Sequence, residues 1–386
     1  MPERRGLLCF GGFARHDWAL LWQRQQAILT RLARHFEVHY IERFSTRRLT
    51  LGEMVQAVAA RLLARRHKQE ARGPGDGVHF INPRVVPFHG RRFWRRRNSR
   101  ALGQAIENAW PDRLRRTVLW IYNPSYLALE FLVRTAGQWE RTVYDCVQRY
   151  RFNRYYPLDI ETIDSEIARR VDLVLADSCT IWEEKKRLNS ATYFLPQGVD
   201  VERFVWEGAN RTPPEEMLSI QRPILGYQGA WHQAFDEALV AATVEAIPGS
   251  TFAFVGPTLG HERRLSRRCP SVVFLGPRGH EQIGRYVNGF DVCLIPYRLD
   301  AFTEGVFPTK FFEYVATGLP IVSSDLPDLR NYGQWVALAR NHEEFVEKAK
   351  AAIHQPRRSS ELVRPFVEQH SWDRRVEQLL SLLNLN

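Results

Sequence analysis

The chemistry-bearing residues of this chain stand in one stretch, Phe307-Pro-Thr-Lys-Phe-Phe-Glu-Tyr-Val-Ala-Thr-Gly-Leu-Pro320. Pro308 at a helix start supplies a preset φ and gives up an N–H that would lack a partner there anyway. The amides of Thr309, Lys310 and Phe311 then point out of the helix end, where the peptide dipoles favour an anion. Lys310 adds a full positive charge at that spot. Glu313, one turn deeper, lies on the same face. A diphosphate at the helix tip would leave an attached ribose near Glu313, whose carboxylate could accept both ribose hydroxyls. The plainer alternative is a Lys–Glu pair on a solvated helix, worth a few tenths of a kcal/mol. Phe311, Phe312, Tyr314 and Val315 argue against it, because they predict a largely buried helix in which a lone Lys and Glu need a purpose. Gly318-Leu-Pro320 allows a tight turn into the apolar Ile321–Ser323.

Other chemistries find little support. The histidines show neither H-x-x-x-H nor H-E-x-x-H spacing, so no zinc site is expected. No D-x-D stands in a loop, so no paired-aspartate metal site is expected either. No cofactor is expected. The five cysteines are scattered and include no C-x-x-C, which argues for a reducing compartment rather than a disulfide framework. Asp177-Ser178 reads as a helix cap.

The positioning elements alternate. Leu7–Phe10 is an apolar strand ending at Gly11-Gly12; Trp18–His35 has helical spacing; Glu37–Ile41, Thr117–Tyr122, Thr142–Val147 and Val171–Ala176 are further strands. Residues 46–72, Arg100–Ala109, Leu127–Ala136, Ile160–Arg170 and Ile181–Leu188 read as helices, and Val78–Phe88 holds a short strand. Residues 205–222 have linker composition, with Pro213-Pro214 and Glu215-Glu216. Alternation then restarts with strands Ile224–Tyr227, Thr251–Val255, Val272–Leu275, Val292–Ile295 and Ile321–Ser323, and helices Asp236–Ala246, Ile283–Asn288 and Thr309–Ala316. This calls for parallel sheets with helices on both faces. The reading is two doubly wound, Rossmann-like α/β domains: 1–204, with the last helix 371–386 returning to it, and 205–370. A ligand is expected where strand C-termini face the cleft between them.

The net charge of +11 sits in the first hundred residues, which hold 21 Lys+Arg against 7 Asp+Glu. Its densest parts are 61–68 and 91–97, the latter with Phe93 and Trp94 embedded. Basic side chains interleaved with aromatics suit an anionic membrane surface. Nucleic acid is the less favoured partner. No apolar run approaches the length of a membrane span, and the chain is read as cytoplasmic, at the inner face of the membrane.

Residues 308–327 resemble the P-x-K-x-x-E-Y-x-A-x-G-x-P-V-V signature of two-domain (GT-B fold) glycosyltransferases of the family 4/1 type, closest in look to those of teichuronic acid biosynthesis. Trp22–Ile28, Val143–Cys146, Val174–Ser178, Leu195–Asp200, Ile224–Gly229, Val273–Gly276 and Phe290–Pro296 agree in the same order. The resemblance implies that Lys310, at a helix tip with Pro308 and Thr309, pairs with the diphosphate of a nucleotide-sugar. It implies Glu313 on the ribose and Gly276-Pro277-Arg278 against the base. Gly229 and Tyr297 join the donor set, and Gly11-Gly12 is the loop on the acceptor side. Departures are visible. Gly305 stands where a first glutamate is usual, with Glu304 beside it. Ala230-Trp231-His232 follows the Gly229 loop where Arg or Lys is common, which makes Arg278, Arg298 or His232 the helper of Lys310. Gln148 occupies the place of an acidic catalytic base; its amide cannot take a proton near neutral pH, and Asp145 or Asp17 could substitute. The function implied is transfer of a sugar from a nucleotide-sugar donor to the hydroxyl of a glycan or lipid-linked acceptor, in cell-surface polysaccharide or glycolipid assembly. The alternatives are a non-catalytic nucleotide-sugar-binding protein and a GT-B epimerase acting on the donor itself.

Overall fold

A computed structural model describes residues 5–15, 18, 22–42, 77–86, 92–111, 116–154, 156–258 and 260–383. The expected helix 46–72, the basic run 61–68, Arg91 and Asp17 lie outside the described residues. The chain divides into two compact units: residues 1–176 with 181–194, and residues 177–180 with 195–386.

The first unit is built on a sheet of seven strands, β1 (Arg5–Phe10), β2 (Phe36–Ile41), β3 (Val78–Ile81), β4 (Thr117–Ile121), β5 (Arg141–Cys146), β6 (Leu173–Ala176) and β7 (Thr192–Phe194), in the order β3-β2-β1-β4-β5-β6-β7. The second has six, β8 (Ile224–Gln228), β9 (Thr251–Val255), β10 (Val272–Gly276), β11 (Val292–Ile295), β12 (Ile321–Ser324) and β13 (Ala337–Ala339), in the order β10-β9-β8-β11-β12-β13. Every pairing in both sheets is parallel. Continuous apolar runs such as Thr-Val-Leu-Trp-Ile in β4 and Thr-Phe-Ala-Phe-Val in β9 are buried along their whole length, as strands covered on both faces require. Each strand order reverses once, between β1 and β4 and between β8 and β11. Loops leaving the carboxyl ends of adjacent strands part there in opposite directions, which opens a crevice. In the second unit those loops begin at Gly229 and Pro296.

The structure shifts several expected boundaries. The first helix starts at Arg24 rather than near Trp18, because Gln26 Oε1 accepts the Gln23 amide at 3.2 Å and stops the helix there. The basic run before Ser99 belongs to the helix Arg92–Ala109, pinned by buried Asn98, which donates to the Val86 carbonyl at 2.8 Å and accepts from its amide at 3.0 Å. The division falls after Phe194, not after Phe204, because Val199, Val201, Phe204 and Val205 pack in the second unit's core. The C-terminal helix Trp372–Leu382 also groups with the second unit: Val199 pairs with Ser371, and Trp372 packs on Gly198. Residues 205–222 carry two short helical turns and bury Met217.

The helix Lys310–Thr317 ends at Gly318, whose φ of +73° lies in the left-handed region. A Cβ there would stand 2.4 Å from the Arg358 carbonyl oxygen, whose amide donates back to Gly318 at 2.8 Å. Gly318→Ala should therefore destabilise the protein by about 2 kcal/mol or more, read as a lower denaturant midpoint; an unchanged midpoint would refute the assigned cap.

Candidate active site

The crevice at the β8–β11 reversal gathers the chemistry. The helix Lys310–Thr317 leaves from the β11 side, with Pro308 buried before it; the Phe311 amide, expected to point out of the helix end, instead donates to the Pro308 carbonyl at 2.9 Å. Lys310 is 6 % exposed and Glu313 7 % exposed. Among the described residues neither forms an ion pair, with the other or with anything else. Lys310 Nζ donates to Tyr297 Oη at 2.5 Å and lies over the rings of Tyr227 and Tyr297, 4.7 and 4.9 Å from their centroids. Aromatic faces and a hydroxyl offset part of the ammonium's lost hydration, but they supply no counter-charge. Gly229, with φ +136°, lets the chain turn beside this head group: a Cβ there would be 3.3 Å from Nζ.

Glu313 sits one turn further along and is buried to a similar degree. Burial raises its carboxyl to about 8; Lys310 pulls it down and Asp200 pushes it up. No hydrogen bond reaches its carboxyl group from the described residues. Asp200 itself is held by His280 at 2.6 Å. Tyr314 Oη accepts the Gln228 amide at 2.8 Å and so ties this helix to the end of β8. The result is a cation, the N-terminal end of a helix and a hydroxyl at one level, with a carboxyl group one turn deeper. That arrangement can hold two linked phosphates above a vicinal diol.

Other residues fall into place unevenly. Gly276 ends β10 in the left-handed conformation (φ +72°), its carbonyl accepting the Gly256 amide at 2.9 Å, and Pro277 is exposed. Arg278 is committed elsewhere, with Nε on Tyr286 Oη at 2.6 Å and its outer nitrogen on Glu216 at 2.9 Å. Arg298 donates to the Gln233 carbonyl at the surface. Of the three expected helpers of Lys310, His232 is the one that reaches its cluster, 3.2 Å from Tyr297 Oη. Glu304 is exposed in the short turn Thr303–Gly305, while Gly305 is buried. Sequence reading passed over Tyr227 and Asp200; their signal was position, at the end of β8 and in the Pro-Gln-Gly-Val-Asp segment. Among the described residues no group of three or more His, Cys, Asp or Glu could hold a metal ion.

Two of the three candidate bases, Asp145 and Gln148, are placed in the first unit. Asp145 is fully buried, and both its oxygens lie 3.0 Å from Arg24 Nε. Burial still raises its pKa, with Arg24 opposing. A carboxylate held by a buried guanidinium anchors the end of β5 to the first helix, and its burial and pairing argue against service as a base. Gln148 accepts from Asn153 Nδ2 at 2.8 Å and lines a cavity of about 220 Å³ with Asp164, Glu184 and Lys185. The Gly11-Gly12 loop is pinned by Gln25 Oε1 on the Gly12 amide at 2.9 Å and packs directly on the Tyr40 ring.

Comparison with known proteins follows the same division. Residues 233–381 match the family described as glycosyl transferase-like. TuaH of Bacillus subtilis (strain 168), named as a glycosyltransferase of teichuronic acid biosynthesis, is 25 % identical over 232 residues, which are 55 % of this chain and 56 % of that protein. The chain thus spans little more than half the length of that relative. Sucrose-phosphate synthase of Thermosynechococcus elongatus superposes with a TM-score of 0.70 at 15 % identity, covering 99 % of both chains. HepE of Anabaena, in complex with UDP and glucose, gives 0.68 at 12 % identity over 99 % of this chain and 100 % of that one. The E. coli trehalose-6-phosphate protein bound with UDP-2-fluoro glucose gives 0.63 at 13 % identity over 98 % of each. The fold is therefore that of the two-domain, GT-B glycosyltransferases. Its second unit carries the glycosyl transferase-like region, and the Lys310–Glu313 crevice lies inside it.

The raised pKa of Glu313 has a measurable sign. A folded pKa of about 8 against an ordinary 4.5 means the fold favours the protonated group. Its contribution is present below pH 4.5 and is lost as pH rises through 8. Glu313→Gln should therefore match wild type in thermal stability near pH 4.5 and exceed it increasingly toward pH 9. A constant difference across that range would show that the carboxyl group is solvated.

Proposed function

We propose that this protein is a glycosyltransferase that moves a sugar from a nucleotide-sugar, most simply a UDP-sugar, to an acceptor hydroxyl. One observation carries the reading: Lys310 and Glu313, both more than nine-tenths buried, stand one turn apart at the strand-order reversal, and neither forms an ion pair with any described residue. Burying either without a partner is costly, and a nucleoside diphosphate supplies what each lacks. Lys310 and the helix end would stabilise the charge that develops on the departing diphosphate, while Glu313 holds the ribose. The complexes of HepE with UDP-glucose and of the E. coli protein with UDP-2-fluoro glucose support the choice of donor, and the TuaH likeness supports an acceptor in surface-polysaccharide assembly. A second reading, a nucleotide-sugar-binding protein without transferase activity, draws on the internal commitments of Asp145 and Gln148.

The acceptor is read as lipid-linked, met at an anionic membrane surface. On the helix Arg92–Ala109, Phe93, Arg96, Arg97 and Arg100 recur at helical spacing and are all exposed, Phe93 by 71 %. Cations flanking an exposed aromatic suit lipid headgroups.

Two tests separate these readings. With a UDP-sugar and lipid-linked acceptor, Lys310→Met should lower transfer by about a hundredfold or more with an unfolding midpoint at or above that of wild type. Donor binding without transfer to any acceptor would favour the binding protein, and undiminished turnover in Lys310→Met would remove the assigned role. Separately, wild type should cosediment with phosphatidylglycerol vesicles but not with phosphatidylcholine vesicles, and Phe93→Ser with Arg96→Glu should abolish it.

A further inference from the structure

Lys310 shares its hydroxyl partner with a histidine. His232 Nδ1 accepts the Ala234 amide at 3.2 Å, and Nε2 lies 3.2 Å from Tyr297 Oη. Burial, aided by the nearby Lys310 charge, pushes the imidazole down to about 3, so it is neutral across the physiological range. A neutral ring whose Nδ1 accepts must carry its proton on Nε2. Nε2–H therefore donates to Tyr297 Oη, the same oxygen that receives Lys310 Nζ at 2.5 Å. Two donors occupy that oxygen's lone pairs, and the phenolic hydrogen is turned away from both. The neighbouring Tyr227 hydroxyl, which donates to the Ala230 carbonyl at 3.2 Å, is a neutral acceptor; a phosphate oxygen is a charged and stronger one. The Tyr297 backbone is held as well: its amide donates to Ser324 Oγ at 3.1 Å, and Ser324 Oγ donates to its carbonyl at 2.5 Å.

We propose that Tyr297 is a second contact to the diphosphate, donating its own hydroxyl hydrogen to a phosphate oxygen, and that His232 is a positioning residue whose Nε2–H sets the direction of that hydroxyl. The inference rests on the reading that a nucleoside diphosphate occupies the Lys310 helix end. It gives a physical role to the histidine that stands where an Arg or Lys was expected. In this chain a neutral donor relay replaces a second cation.

The test is calorimetric titration of the full chain with UDP and, separately, with uridine, which lacks the phosphates. Tyr297→Phe keeps the ring and removes one hydrogen bond to a charged group, so UDP affinity should fall about tenfold while uridine affinity stays unchanged. His232→Leu should weaken UDP and leave uridine alone, and His232→Gln, whose amide N–H can still donate, should recover most of the loss. Unchanged UDP affinity in Tyr297→Phe would overturn the contact, and so would parallel losses for UDP and uridine. Equal behaviour of His232→Leu and wild type would overturn the positioning role. Failure of the underlying reading looks different: wild type would bind none of UDP, GDP or TDP, or Lys310→Met would bind UDP as tightly as wild type.

Discussion

A buried ammonium with no ion-pair partner among the described residues is the constraint around which the second unit is arranged. Removing an ion from water costs several kcal/mol even after the protein relaxes. Here the Lys310 ammonium recovers part of that from two tyrosine faces and one phenolic oxygen. None of these cancels its charge. The surroundings hold it there nonetheless. Gly256 brings its loop too close to Gly229 for any side chain: a Cβ on Gly256 would stand 2.1 Å from the Gly229 carbonyl oxygen. Tyr314 ties the helix to β8, and Ser324 holds Tyr297 at the end of β11. A set of contacts this specific, maintaining an electrostatically unfavourable arrangement, makes sense when a ligand completes it.

The first unit gives the contrast. Its buried charges are matched internally. Asp145 faces Arg24, and Asp164 holds Lys185 while also accepting from the Tyr144 hydroxyl. Such pairs are neutral as units and hold strand ends to helices. They do not call for a ligand, however conspicuous the carboxylate is in the sequence. Position at a strand's carboxyl end is therefore a weak guide to catalysis, and the pairing state of a buried charge is a stronger one.

That difference explains what was legible in advance. The alternation of apolar strands and amphipathic helices carried the fold, because strands covered on both faces must be apolar throughout and parallel neighbours need helical crossovers. The burial of Lys310 and Glu313 was legible because the apolar residues of Lys-Phe-Phe-Glu-Tyr-Val cannot all face water. Asp145 misled because its partner, Arg24, lies 121 residues earlier in the chain; no local pattern marks that meeting. The 194/195 division was hidden for a similar reason. Val199, Val201 and Phe204 look like continuations of the preceding alternation, and only packing shows that they fill the second core.

The His232–Tyr297–Lys310 relay belongs to the same category of non-local information. Its members come from the β8 loop, the end of β11 and the next helix, brought together by the reversal of strand order. A second cation near Lys310 would raise phosphate affinity by direct Coulomb attraction, but it would also repel Lys310 in the empty site. A neutral histidine avoids that repulsion while still fixing where the hydroxyl hydrogen points. The cost of the empty state is thereby limited to one unpaired cation and one carboxyl group that burial keeps largely protonated below about pH 8. On the proposed reading, this lets one crevice select a diphosphate and still fold without it.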